Sequence, residues 1–251
     1  MAAKRAVSKP SKKPSKKGAP SRRPGGSPFG PGLMRFLRDL DANNNRAFFE
    51  ANKDRYEEQV RGPALDFIRA IAPHIEKLSP HLVASDKKVG GSLMRIYRDV
   101  RFSKDKTPYK TNVGIQFRHE EGKDVHAPGL YLHIDPKEIF LGAGMWRPDS
   151  DALKGVRASI LENGAAWKRV RDNKAFRSVW NFEGDSLKRA PRGYDEDHPL
   201  IEDLKRKDHI AVVRLGKGDV TQPDFVKQVA DHFKKAKGLM AWQAKAIGLP
   251  F

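Results

Sequence analysis

From Arg95 to Lys110 the chain gathers six cationic side chains, Arg95, Arg98, Arg101, Lys104, Lys106 and Lys110, around two carboxylates, Asp99 and Asp105. A planar guanidinium fork matches phosphate or carboxylate through two parallel hydrogen bonds, and lysine adds a movable point charge. The chemistry this favours is capture of an anionic ligand. Tyr97, Tyr109 and Tyr131 add hydroxyls that could complete the binding set. The competing arrangement is an ion-pair network in which Asp99, set among Arg95, Arg98 and Arg101, neutralises them. On the ligand-binding alternative, Arg101→Ala abolishes stabilisation by the anion and leaves the fold intact.

Proton transfer requires a group that gives or takes a proton beside that charge. Asp99 and His133 are the catalytic candidates, with Tyr97 and Tyr131 near them in the pattern. Such a set is the minimum for an enzyme acting on a phosphorylated small molecule or a nucleotide. His119, Glu120, Glu121, Asp124 and His126 form a second polar cluster, but their spacing matches no familiar metal motif, and a solvated loop explains it. No cofactor is implied either. The Gly142-Ala143-Gly144 triplet lacks the third glycine and helix of a dinucleotide fingerprint, and no Gly-rich phosphate loop or Gly-x-Ser-x-Gly elbow occurs.

These residues need elements to hold them. Over residues 94–102 apolar and polar side chains alternate, with Arg95, Tyr97, Asp99 and Arg101 on one parity, which predicts a strand. The loop SKDKTPYK follows, then a second alternating run through Val113, Ile115 and Phe117. The expected strands lie at about 93–102, 111–119, 129–135 and 138–145, with a fifth over HIAVVRL at 209–215. A meander of the first four puts Arg95, Tyr97, Asp99, Arg101, Asn112, Gln116, Tyr131 and His133 on one polar face. Gly142 and Gly144 would strip side chains from one face of the fourth strand and let another group approach.

Helical spacing fills the two ends of the chain. Leu33, Phe36, Leu37 and Leu40 share one face, the Asn43-Asn44-Asn45 cluster offers an N-cap, and Leu65, Ile68, Ile71 and Ile75 mark a third helix containing Pro73. Asp149 and Ser150 cap another, and residues 223–247 form a closing helix. The fold class is therefore α+β: a mostly antiparallel sheet of about five strands, with helices from the N- and C-terminal thirds packed on its apolar face.

Half of the net charge of +18 sits in residues 1–32, which hold nine lysines and arginines and no acid. That Lys, Pro, Ser and Gly composition buries too little to offset its ordering entropy, so a disordered basic tail is expected ahead of one domain over residues 33–251. Such a tail reads either as a solubilising extension or as a basic arm that grips nucleic acid non-specifically. The chain has no cysteine, so disulfides, thiol catalysis and cysteine metal sites are excluded. No run approaches the roughly eighteen apolar residues of a membrane span. The expectation is a soluble, cytoplasmic protein without a membrane partner; oligomeric state is not legible.

Four strings carry a family resemblance: NNNRAFFEANKDRYEEQV at 43–60, RDVRFSKDKTPYKT at 98–111, LGAGMWRPDSDALKGVR at 141–157 and LKRAPRGYDEDHP at 187–199. They resemble the hallmarks of a widespread bacterial family, also found in fungi, catalogued as domain of unknown function 2461. The resemblance spans roughly Leu33 to the C-terminus and implies a shared fold. It implies no activity.

Overall fold

The computed structural model describes residues 26–122 and 126–251. The tail expected over residues 1–32 lies outside the described residues as far as residue 25, and its last part is not a tail. Ser27 Oγ donates to the Val220 carbonyl at 2.5 Å, and the Phe29 ring lies 5.6 Å from Phe67 and 6.1 Å from Phe225. Phe29 is 2% exposed, so the core begins before the expected boundary.

Helix α1 (Gly32–Ala42) buries Leu33, Phe36, Leu37 and Leu40, the face its spacing foretells. Asn45 Oδ1 accepts the Phe48 N–H at 2.9 Å and so caps α2 (Arg46–Ala51). Then α3 (Lys53–Tyr56), a π-helical turn (Glu57–Arg61) and α4 (Gly62–Leu78) follow almost without interruption. Pro73 lies inside α4, which runs on through it. The Gly62-Pro63 pair opens α4 and does not isolate it, because the wider π turn leads directly into that helix.

The sheet has six strands, one more than expected, all antiparallel and ordered β1-β2-β3-β4-β6-β5. They are β1 (Leu82–Val83), β2 (Val113–His119), β3 (Gly129–Ile134), β4 (Ile139–Met145), β5 (Asn181–Glu183) and β6 (His209–Leu215). Between β4 and β5 come α5 (Ser150–Glu162), α6 (Gly164–Arg171) and α7 (Lys174–Arg177). Asp149 Oδ1 caps α5 through the Asp151 and Ala152 amides. Helix α8 (Ile201–Leu204) precedes β6, and α9 (Phe225–Lys235) and α10 (Lys237–Ala246) end the fold in two pieces where one was expected. Helix α4 from the first third and α10 from the last touch the sheet directly. With them lie Ile115, Phe117, Leu130, Leu132, Leu141 and Ala211, all buried. Gly144, at φ +118°, serves this packing: a Cβ there would run into the His209 carbonyl and the Gln243 amide.

The strand expected over 93–102 does not form. Leu93 bridges Ile115, and two backbone bonds, Met94 N to Gly114 O and Gln116 N to Ser92 O, each 2.9 Å, lay residues 92–94 along the β2 edge beyond β1. The chain then leaves the sheet. Residues 96–110 fold back on themselves through the Tyr97–Tyr109 bridge and the bonds from Lys110 N to Ile96 O and Arg98 N to Pro108 O. Asn44 fastens the far side of this fold-back by occupying both backbone groups of Tyr109, donating to its carbonyl at 3.0 Å and accepting its N–H at 3.1 Å. An amide side chain thus takes the hydrogen bonds a neighbouring strand would have made.

Candidate functional site

The three asparagines have three separate tasks. Asn43 closes α1 by donating to the Asp39 carbonyl, Asn44 clamps Tyr109, and Asn45 caps α2. The clamp brings Phe49 flat against Tyr109, with ring centroids 4.3 Å apart, and sets Tyr97 5.5 Å from Tyr109. Burial raises the pKa of Tyr109, and the Arg46 guanidinium acts against that shift. Two of the sequence strings that carry the family resemblance therefore meet at this aromatic stack.

Beside it a cleft of about 260 Å³ opens between the α3–π-turn stretch and residues 87–97. Its floor is aromatic and aliphatic: Phe49, Tyr56, Leu65, Leu93 and Ile96. Five cations line it, Lys53, Arg61, Lys87, Lys88 and Arg95, against one carboxylate, Glu57. Glu57 pairs with Arg61 at 2.9 Å, one turn apart on the π segment. Among the described residues Lys53, Lys87, Lys88 and Arg95 form no ion pair. Burial, then the Glu57 charge, pushes the Tyr56 hydroxyl up to about 12, so it stays protonated at neutral pH and can donate. Lys87 and Lys88 reach the cleft because residues 85–92 close into a loop: Ser92 N donates to Ser85 O at 2.7 Å, and Ser85 N donates to Ser92 Oγ at 3.0 Å.

The expected site residues divide into three groups. Arg95 and Tyr97 line the cleft, and Lys110 lies near Arg95, its pKa lowered by burial and then by that charge. Arg98, Asp99, Arg101, Lys104 and Lys106 stand on the fold-back instead. There Arg98 binds Asp105 and Thr107, while Arg101 Nε and Nη2 grip both Asp99 oxygens at 2.9 and 2.7 Å. Lys106 Nζ donates to the Val100 carbonyl at 3.0 Å, and Phe102 at the tip is 95% exposed. The side chain of Asp105 is held down near 2 by its bonds to Arg98 and Thr107.

Tyr131 and His133 form the third group, on the sheet face away from the helices. Tyr131 Oη lies 3.0 Å from His133 Nδ1, and Asn112 Nδ2 approaches the same nitrogen at 3.5 Å. Both contacts suit a His133 Nδ1 that accepts, from the Tyr131 hydroxyl first and the Asn112 amide at the limit of hydrogen-bond reach. The imidazole stacks on Phe140, centroids 4.6 Å apart, and burial lowers its pKa while Asp135 and Glu138 oppose the shift. Gly114 makes the room: a Cβ would come within 2.8 Å of Tyr131 Oη and 2.9 Å of Met94 Sδ. Since 93–102 is no strand, the single polar face expected to join Arg95, Tyr97, Asp99 and Arg101 to Tyr131 and His133 does not exist. Leu93 opposite Ile115 puts that edge segment in register with the helix-covered face. Asp99 and His133 accordingly share no hydrogen bond.

The cluster around His119 has other partners. His119 Nε2 donates to the Pro250 carbonyl at 2.9 Å while Nδ1 accepts the Glu121 amide, and Glu120 pairs with His81 at 2.6 Å. Asp124 lies outside the described residues. Sequence reasoning missed Lys53, Tyr56, Arg61, Lys87 and Lys88 as site residues. Only the first three carried a signal, by standing in the string at 43–60 that resembles the family.

Fold and cleft define an α+β domain with helices on one face of an antiparallel sheet and a cationic recess at the β1–β2 edge. The model of the family described as "Conserved hypothetical protein (DUF2461)" matches residues 32–242, and the chain belongs to that family. No curated protein matches it. Among the described residues no helix is long and apolar enough to cross a membrane.

Proposed function

We propose that the protein is a cytoplasmic binding domain for a small anionic ligand bearing phosphate or carboxylate groups, held in the cleft between the π turn and residues 87–97. The observation that carries this is the charge of the recess: four cations without an ion-pair partner among the described residues, beside one Arg–Glu pair. Concentrated like charge is destabilising unless something opposes it, and a bound anion does so while gaining charge-assisted hydrogen bonds. At about 260 Å³ the cleft lies near the small end of ligand sites, roughly 300–1,000 Å³, which favours a compact ligand. The aromatic floor supplies apolar contact for whatever carries the anionic group.

Arg95 replaces Arg101 as the decisive fork, because Arg101 is already closed bidentately on Asp99. Acid–base turnover through Asp99 and His133 is not favoured, since each has its own separate partners. The test is a thermal-shift screen of residues 26–251 against nucleotides, sugar phosphates and carboxylates, with Arg95→Ala and Arg101→Ala alongside. Ligand bound only to the native state raises Tm. The expected result is a selective shift lost in Arg95→Ala and kept in Arg101→Ala. A shift lost only in Arg101→Ala would return the site to the fold-back.

A further inference from the structure

The opposite edge of the sheet holds a second recess of like chemistry. Strands β1 and β5 are separated by five inter-strand steps, about 24 Å at roughly 4.8 Å each, so this recess is independent of the first. It measures about 290 Å³ and lies where α6, α7 and the end of α8 meet β5. Three arginines and two carboxylates line it: Arg171, Arg177 and Arg206 with Asp172 and Asp203.

The two carboxylates converge on one arginine. Arg171 Nε and Nη2 donate to the Asp172 oxygens at 2.8 and 2.7 Å, and Arg171 Nη1 donates to Asp203 Oδ2 at 2.5 Å. This fork ties α6 to α8 and accounts structurally for Arg171. It leaves Arg177 and Arg206 without an ion pair among the described residues. Arg206 is partly buried, its guanidinium carbon 5.0 Å from the Phe182 ring centroid, and its Nη1 donates only weakly, at 3.4 Å, to the Glu183 carbonyl. Burial disfavours its charged form, Asp203 acts the other way, and the Arg171 and Arg177 charges add to the burial effect. A guanidinium placed among two others, with neighbouring carboxylates already engaged, has donors to give and a charge to be balanced.

We propose that this recess is a second anion site, taking a phosphoryl or pyrophosphoryl group between Arg177 and Arg206, with Asn181 on its wall as an amide donor. Two planar forks lining one small recess suit an oxyanion with several oxygens, and the Phe182 ring faces one of them. Asp172 tempers the site: it neutralises part of the Arg171 charge, so the recess does not become a general sink for anions.

The test uses the full chain and resolves the site directly. Pyrophosphate is titrated while NMR follows the Arg177 and Arg206 Nε–H signals, the Asn181 side-chain amide and, for the first cleft, Arg95. The expected result is saturable movement of the Arg177, Asn181 and Arg206 signals with one dissociation constant. In Arg177→Ala the Arg206 response should weaken at least about tenfold, the loss expected for one charge-assisted fork. In Asp172→Asn, an exposed substitution that releases Arg171 Nε and Nη2 while Nη1 stays on Asp203, it should strengthen. Silence of Arg206 and Asn181 at millimolar pyrophosphate, or an unchanged response in Arg177→Ala, overturns the proposal. Response here with Arg95 silent would uphold the second site and count against the first.

Discussion

Replacing Phe29 by alanine should destabilise the domain as severely as a central core substitution, although residue 29 stands in a Pro- and Gly-rich run. The ring is 2% exposed and lies between Phe67 of α4 and Phe225 of α9. Phe→Ala at such a position costs about 3–5 kcal/mol, the sum of lost transfer energy and the cavity left behind. A chain of this size moves its Tm by roughly 2–4 °C per kcal/mol, so the expected drop is roughly 6–20 °C. Starting the chain at residue 33 should do at least as much harm, because it also removes the Ser27 Oγ bond to Val220. Starting it at residue 26 keeps both the Phe29 packing and the Ser27 bond and should spare that loss. Thermal melts of the two truncations and of Phe29→Ala measure this directly. If the 33–251 chain were as stable as the 26–251 chain, Phe29 would not be part of the core.

Acid should weaken the fold through His209, whose pKa burial, followed by the Arg206 and Arg157 charges, lowers to about 3 with Asp208 opposing. The unfolded chain takes up that proton at about 6.5. Unfolding therefore binds a proton between pH 6.5 and 3, stability falls as pH drops through that window, and the loss at pH 5 is roughly 2 kcal/mol. Denaturant melts of His209→Phe should show a flatter profile there; an unchanged slope would assign the acid sensitivity elsewhere. Asn44→Ala should release the Tyr109 backbone, at a cost of roughly 1–3 kcal/mol, and hydrogen exchange at the Tyr109 amide should quicken. Equal exchange in both proteins would mean the clamp is redundant. Deleting residues 1–25 should remove salt-sensitive nucleic-acid binding with a log–log slope of about −4 to −8. Binding that survives the deletion would belong to the domain.

Much of the fold was legible because its elements are periodic. Leu33, Phe36, Leu37 and Leu40 repeat as a helix repeats, and Leu130, Leu132 and Ile134 alternate as a half-buried strand does. The same rule misled at 94–102, where alternation is genuine but the chain leaves the β2 edge after Met94 and residues 96–98 pair instead with 108–110, a fold-back that Asn44 holds from more than sixty residues away. Periodicity reports what a segment could pair with, not what reaches it. Strands β1 and β5, of two and three residues, are too short to show any period. Phe29 was hidden by averaging, one aromatic in a stretch whose composition reads as tail. At the site, residue type was legible and assembly was not. Arg95 and Tyr97 were within reach of inspection, but Lys53, Lys87 and Lys88 join them only through the turn of α3 and the closed loop at 85–92. Arg98 and Arg101 looked equivalent to Arg95 in sequence; their carboxylate partners, Asp105 and Asp99, separate them in space.

The cleft and the fold-back carry different lysines, which allows a direct decision between them. Amine-reactive footprinting with mass-spectrometric readout should be run with and without the phosphate-bearing compound that shifts Tm most. The cleft predicts slowed modification of Lys53, Lys87 and Lys88 with Lys104 and Lys106 unchanged. Protection of Lys104 and Lys106 with the cleft lysines unaffected would contradict it.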